Sequence, residues 1–102
     1  MLFRSSFEFQ EKRKKFDQDE TEWIQKMIEQ LHQTFEVGKP LGTKWFKEKK
    51  YRNKRLYFLI YPWLNLVILV GYGTKKDQEQ MIQIILKNKD AYMAYAEHYS
   101  NV

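Results

Sequence analysis

Between residues 19 and 35 the apolar positions Trp23, Ile24, Met27, Ile28, Leu31 and Phe35 recur at the spacing of a helix with one buried face. Asp19 followed by Glu22 has the capping-box spacing, so the helix is expected to start there. Gly38, Pro40 and Gly42 close it and open a loop. Upstream, Ser5 or Ser6 with Glu8, then Phe9 and Phe16, predicts a short amphipathic helix to about Asp17, preceded by a few extended residues.

Beyond the loop the period shortens to that of a strand. Lys44–Tyr51 alternates, with Trp45, Lys47, Lys49 and Tyr51 on one face and Phe46, Glu48 and Lys50 on the other. Arg52, Asn53 and Lys54 turn the chain into Arg55–Tyr61, whose apolar content suits a central, buried strand. Pro62–Asn65 is a second turn, and Leu66–Tyr72 a third strand ending near Gly71 and Gly73. Asp77 with Gln80 then caps a last helix that carries Met81, Ile84 and Ile85, followed by Tyr92, Tyr95 and Tyr99, with Asn88, Lys89 and Asp90 as its break point. The order predicts one α+β domain over residues 1–102, with two N-terminal helices and a C-terminal helix on one face of a twisted antiparallel sheet.

Composition narrows the chemistry. A chain of 102 residues supports one core, and 43% hydrophobic residues with 17% aromatic exclude a disordered segment. Without cysteine there is no disulfide, thiolate nucleophile or cysteine metal site, and His32 and His98 have no ligand spacing, so neither metal nor cofactor is expected. Gly71 and Gly73 lack the rest of a phosphate loop, and the acidic groups at Asp17–Glu22 and Asp77–Glu79 suit helix starts. The longest apolar run, Leu56 to Val70, is interrupted by Pro62 and Asn65 and is too short to span a bilayer, and no signal pattern opens the chain. A soluble, cytoplasmic protein is expected.

Charge changes the picture more. The net charge is +5, yet residues 39–55 alone hold eight basic side chains against Glu48. Trp45, Phe46 and Tyr51 are interleaved with them, which exceeds what an edge strand needs to resist aggregation and points to a polyanionic partner, RNA or the ribosome. Lys44, Lys50, Arg52, Lys54 and Lys76, with Trp45 and Tyr51, are the expected RNA-binding residues. Lys47 and Lys49 on one strand, Arg55 on the next and Lys75 or Lys76 after the third are expected to converge. Crowded ammonium groups lower one another's pKa, so one lysine can accept a proton while the arginine holds a phosphate.

The run GKPLGTKWFKEKKYRNKRLYFLIYPWLNLVILVGYGTKKDQ, residues 38–78, sets a Pro-Leu loop, a basic strand, an arginine-led strand continuing L-Y-x-x-x-Y, an apolar strand and a second basic segment in succession. It resembles the RelE/ParE superfamily of toxins from toxin–antitoxin pairs. The resemblance implies an N-terminal strand, here within Leu2 to Phe9, that pairs into the sheet. In the RelE-like branch it implies a ribosome-dependent endoribonuclease, or mRNA interferase, that cuts messenger RNA in the A site by 2′-hydroxyl attack on the adjacent phosphate, without metal. Carried over, Lys47 and Lys49 become general base and phosphate support, Arg55 binds the scissile phosphate, and Lys75 is the basic residue after the third strand. Met81 stands where such toxins often carry tyrosine or histidine, with Tyr72 or Tyr92 as replacements. The implied partners are a cognate protein antitoxin, the ribosome and mRNA, with no membrane. The alternatives are a ParE-like inhibitor of DNA gyrase and a catalytically inactive RNA- or ribosome-binding protein of the same fold.

Overall fold

The apolar residues of the central strands are buried on both sides of one sheet. In the computed structural model, which describes residues 2–100, the elements are β1 (Leu2–Ser5), α1 (Phe7–Arg13), α2 (Gln18–Gln33), β2 (Lys39–Pro40), β3 (Phe46–Tyr51), β4 (Lys54–Tyr61), β5 (Leu66–Thr74), α3 (Gln78–Lys87) and α4 (Lys89–Ser100). The sheet runs β1-β5-β4-β3-β2. It is mixed, because β1 pairs parallel to β5 while the other neighbours are antiparallel. Strand and helix coexist at the N-terminus: Ser6 ends the parallel strand and caps α1, its hydroxyl accepting from the Phe9 N–H at 3.2 Å.

Expecting all helices on one face was wrong. Leu56, Phe58, Ile60, Val67 and Leu69 pack with Phe9, Ile24, Met27 and Leu31 beneath α1 and α2. Tyr57, Leu59, Tyr61, Ile68 and Val70 pack with Ile85 and Ala96 beneath α3 and α4. A strand whose two sets of side chains are both apolar needs cover on both faces, and the result is three layers. Tyr57 pairs with Gly71 and Phe58 with Leu69, so Val70 is an extra residue on β5. This bulge sends Val70 to the α3 face and still brings Tyr72 round to the α2 face.

Several boundaries move for local reasons. The capping box of α2 is Asp17 with Glu20, not Asp19 with Glu22, and the Asp17 carboxylate accepts from the Glu20 N–H at 2.7 Å. The helix stops at Gln33, and Gly38 brings the chain back to the sheet at φ +90°, where a Cβ would stand 2.8 Å from the Phe58 ring. Lys39 and Pro40, expected in a loop, form edge strand β2 opposite Glu48 and Lys47. Asp77 does not cap the last helix with its side chain, which instead accepts from the Thr74 hydroxyl at 3.0 Å. The break falls at Asn88, whose N–H and side-chain amide both donate to the Ile84 carbonyl.

Candidate nucleic-acid interface

The hairpin between β3 and β4 decides which basic residues meet. Its loop is the two residues Arg52 and Asn53, with Arg52 at φ 57°, so Tyr51 pairs with Lys54, Lys50 with Arg55, Lys49 with Leu56 and Lys47 with Phe58. Leu56 and Phe58 face α2, and Lys47 and Lys49 share that face with them. Arg55 alternates with Leu56 and lies on the α3 face with Lys50 and Glu48. The expected convergence of Lys47, Lys49 and Arg55 is therefore divided by the sheet itself.

Each expected residue has a definite place. Lys47 is only 9% exposed, and its ammonium donates to the Phe35 carbonyl at 2.5 Å, fastening the chain after α2 onto β3. Lys49 is exposed at the sheet edge beyond the end of β2. Tyr51 stacks on Trp23 at 4.7 Å, Arg52 pairs with Asp19 at 3.5 Å, and Lys54 pairs with Glu20 at 2.9 Å, so these three are tied to α2. Burial alone would raise the Glu20 carboxyl, but the hydrogen bond from Lys54 and the Asp17 N–H outweigh it and hold it below its usual range. Lys75 and Lys76 occupy a helical turn whose Lys75 N–H donates to the Asn53 carbonyl at 3.0 Å, bringing them beside the β3–β4 loop. Lys44 and Trp45 precede β3, about 20 Å away at the other end of the strand. There Trp45 packs on Phe46 and lines a cavity with Tyr61, Trp63 and Lys89.

What the fold does assemble is Glu48, Lys50, Arg55 and Tyr57, roofed by the start of α3. The Gln78 amide donates to a Glu48 carboxylate oxygen at 2.8 Å, and Arg55 donates to the Lys54 carbonyl at 3.2 Å. Arg55 is 4% and Glu48 5% exposed, while the Arg55 Nε and the Tyr57 hydroxyl have no partner among the described residues. Burial, then the Glu48 charge, pushes the Tyr57 phenol up to about 12 against the opposing pull of Arg55. Met81 fills the space over Gly71 and Gly73 next to Tyr57, which makes it packing and not chemistry. Glu48 also reaches the wall of an open cavity of about 490 Å³ with Lys39, Lys49 and Lys50. The sequence held the clue in the length of the hairpin loop: a two-residue loop puts Lys50, not Lys49, across from Arg55.

The surroundings are cationic. Among the described residues, only Lys14, Arg52 and Lys54 of the basic side chains enter ion pairs. Lys49, Lys50, Lys75 and Lys76 stand unpaired around the β3–β4 end of the sheet, together with Lys12 and Lys15 from α1. Within the same residues no three His, Cys, Asp or Glu side chains group as a metal site, and no helix is long and apolar enough to cross a membrane. Compared with known proteins, the chain matches no family model, no curated protein and no solved structure.

Proposed function

We propose that the protein is a RelE-like toxin of a toxin–antitoxin pair that binds ribosome-associated messenger RNA and cuts it. The observation that carries this reading is the Glu48–Lys50–Arg55 set at the foot of an end of the sheet crowded with unpaired lysines. Phosphate chemistry on RNA needs a proton acceptor for the 2′-hydroxyl and cations for the charge that grows on phosphorus-bound oxygen. In this reading Glu48 takes the proton, because one of its oxygens is engaged by Gln78 and the other is left to accept. The 2′-oxygen bonds to phosphorus and the 5′-oxygen leaves, giving a cyclic phosphate and a 5′-hydroxyl end. Arg55 offers a planar fork to the phosphate and Lys50 a point charge beside it. Lys47, committed to the Phe35 carbonyl, is a structural anchor in place of the expected base.

The neutralising antitoxin of this reading is an amphipathic segment that folds on binding. Phe7, exposed at 70%, and Ile84 border neighbouring cavities of about 440 and 310 Å³ between α1 and the last two helices, which suit its apolar face.

The test is cell-free translation of a defined messenger, mapping new 5′ ends by primer extension, with Glu48→Gln and Lys50→Ala beside the parent. Ribosome-dependent cuts that fall about a hundredfold in Glu48→Gln support the reading. Undiminished translation with intact messenger overturns it. A second reading, binding without cleavage, is favoured by the cover that Gln78 gives Glu48 and by the burial of Arg55. It is selected if translation stops while the messenger stays whole.

A further inference from the structure

On the other face of the same end, the fold builds a pocket that the charge distribution along the chain conceals. Residues 12–15 read Lys-Arg-Lys-Lys, but they sit in an N-terminal third that is acidic overall. The last turn of α1 carries Lys12, which is the usual favourable place for a cation against a helix dipole. That explanation does not extend to Lys15, which follows the helix. Lys14 pairs with Glu11 at 3.1 Å, whereas Lys12 and Lys15 have no ion pair among the described residues and line a cavity of about 220 Å³. Its other walls include Phe16, Tyr72, Lys54 and Thr74.

The two carboxylates at this pocket are already engaged. Glu20 accepts from Lys54 at 2.9 Å, and Asp77 accepts from the Thr74 hydroxyl at 3.0 Å. Lys12 and Lys15 are the cations left over. Phe16 and Tyr72 meet edge-on, with ring centroids 4.8 Å apart, and Lys54 lies over the Tyr72 ring at 5.5 Å, so the floor is aromatic and rigid. Unpaired lysines above an aromatic floor suit a phosphodiester with its attached base. The unpaired cations also continue past Thr74 to Lys75 and Lys76, beside the β3–β4 loop, which suits a repeating anion better than a single small one.

We propose that the Lys12–Lys15 pocket is a second nucleic-acid contact, holding a phosphodiester of a single strand that passes round the β3–β4 end of the sheet. The proposal rests on the nucleic-acid reading above but not on cleavage. The probe is a fluorescein-labelled oligouridylate, with binding followed by anisotropy over a range of salt for the full chain. Lys12→Ala/Lys15→Ala is expected to bind about tenfold more weakly at low salt, with a salt slope smaller by about 1. Lys87→Ala/Lys89→Ala, which removes the same charge from the last two helices, is expected to leave both quantities near the parent's. Equal affinity and slope in the parent and the Lys12→Ala/Lys15→Ala protein overturn the proposal, as does a parent that does not bind. Displacement of the strand by micromolar inorganic phosphate assigns the pocket to a free anion and overturns the strand. A parent that binds through Lys12 and Lys15 yet never cuts messenger upholds the pocket and overturns the nuclease reading. One that cuts on ribosomes with these lysines irrelevant to binding does the reverse.

Discussion

Tyr57 carries a fully buried hydroxyl with no partner among the described residues, which is a cost of about 1–3 kcal/mol in a structure otherwise well satisfied. Tyr57→Phe is therefore expected to raise the thermal midpoint at neutral pH, read by circular dichroism. The phenol also has a pH signature. Its folded pKa of about 12 lies above the ordinary 10.0, so the folded state keeps a proton that the unfolded state gives up, and stability is lost as pH rises from 10 towards 12. Tyr57→Phe should flatten that decline in urea midpoints only in part, because Tyr61 and Tyr72 are raised as well. Lys47 makes the opposite case. Lys47→Met leaves the Phe35 carbonyl without its donor, so the stability should fall by about 1–3 kcal/mol while cleavage per folded molecule is retained. Lost cleavage in a stable Lys47→Met protein would restore this lysine to the chemistry.

At the scale of elements, two joints hold α2 to the sheet. One is Glu20, which closes the capping box of α2 and pairs with Lys54 on β4. Its folded pKa lies below the ordinary 4.5, so its contribution is present above pH 4.5 and is lost as pH falls through the lower folded value. Glu20→Gln is expected to cost about 2 kcal/mol at pH 7 and much less at pH 3, measured as urea midpoints. The other joint is Gly38, where a Cβ meets both the Phe58 ring and the Glu48 carbonyl at a positive φ. Gly38→Ala should destabilise by more than about 1 kcal/mol and loosen β2, visible as faster amide exchange at Lys39 and Glu48. The helix pattern of α2, the strand lengths and the break at Asn88 were all legible along the chain, because each depends on spacing within one segment. The capping box slipped by two residues because Asp17 and Asp19 both have a glutamate three positions on, and only the approach of Lys54 to Glu20 favours the first.

For the whole molecule, the sheet acts as a partition. It places Lys49, Tyr51 and Lys54 on the α2 side and Glu48, Lys50 and Arg55 on the α3 side, with the cations meeting only around the β3–β4 end. A polyanion bound there should respond steeply to salt, and reversing Lys75 and Lys76 to glutamate should weaken oligonucleotide binding more than reversing Lys44, which lies at the far end. Anisotropy titrations at two salt concentrations separate these outcomes.

The sequence by itself determined the α+β class, the three long strands and the basic character of the segment between Lys39 and Arg55, because these follow from period and composition. Tertiary structure alone decided the parallel pairing of β1, the cover on both faces and the candidate site. Parallel pairing joins residues more than sixty positions apart, Leu2 with Leu66, and no local pattern encodes it. The site turned on a single residue of hairpin register: side chains alternate from face to face, so one step moves Arg55 from the company of Lys49 to that of Glu48 and Lys50.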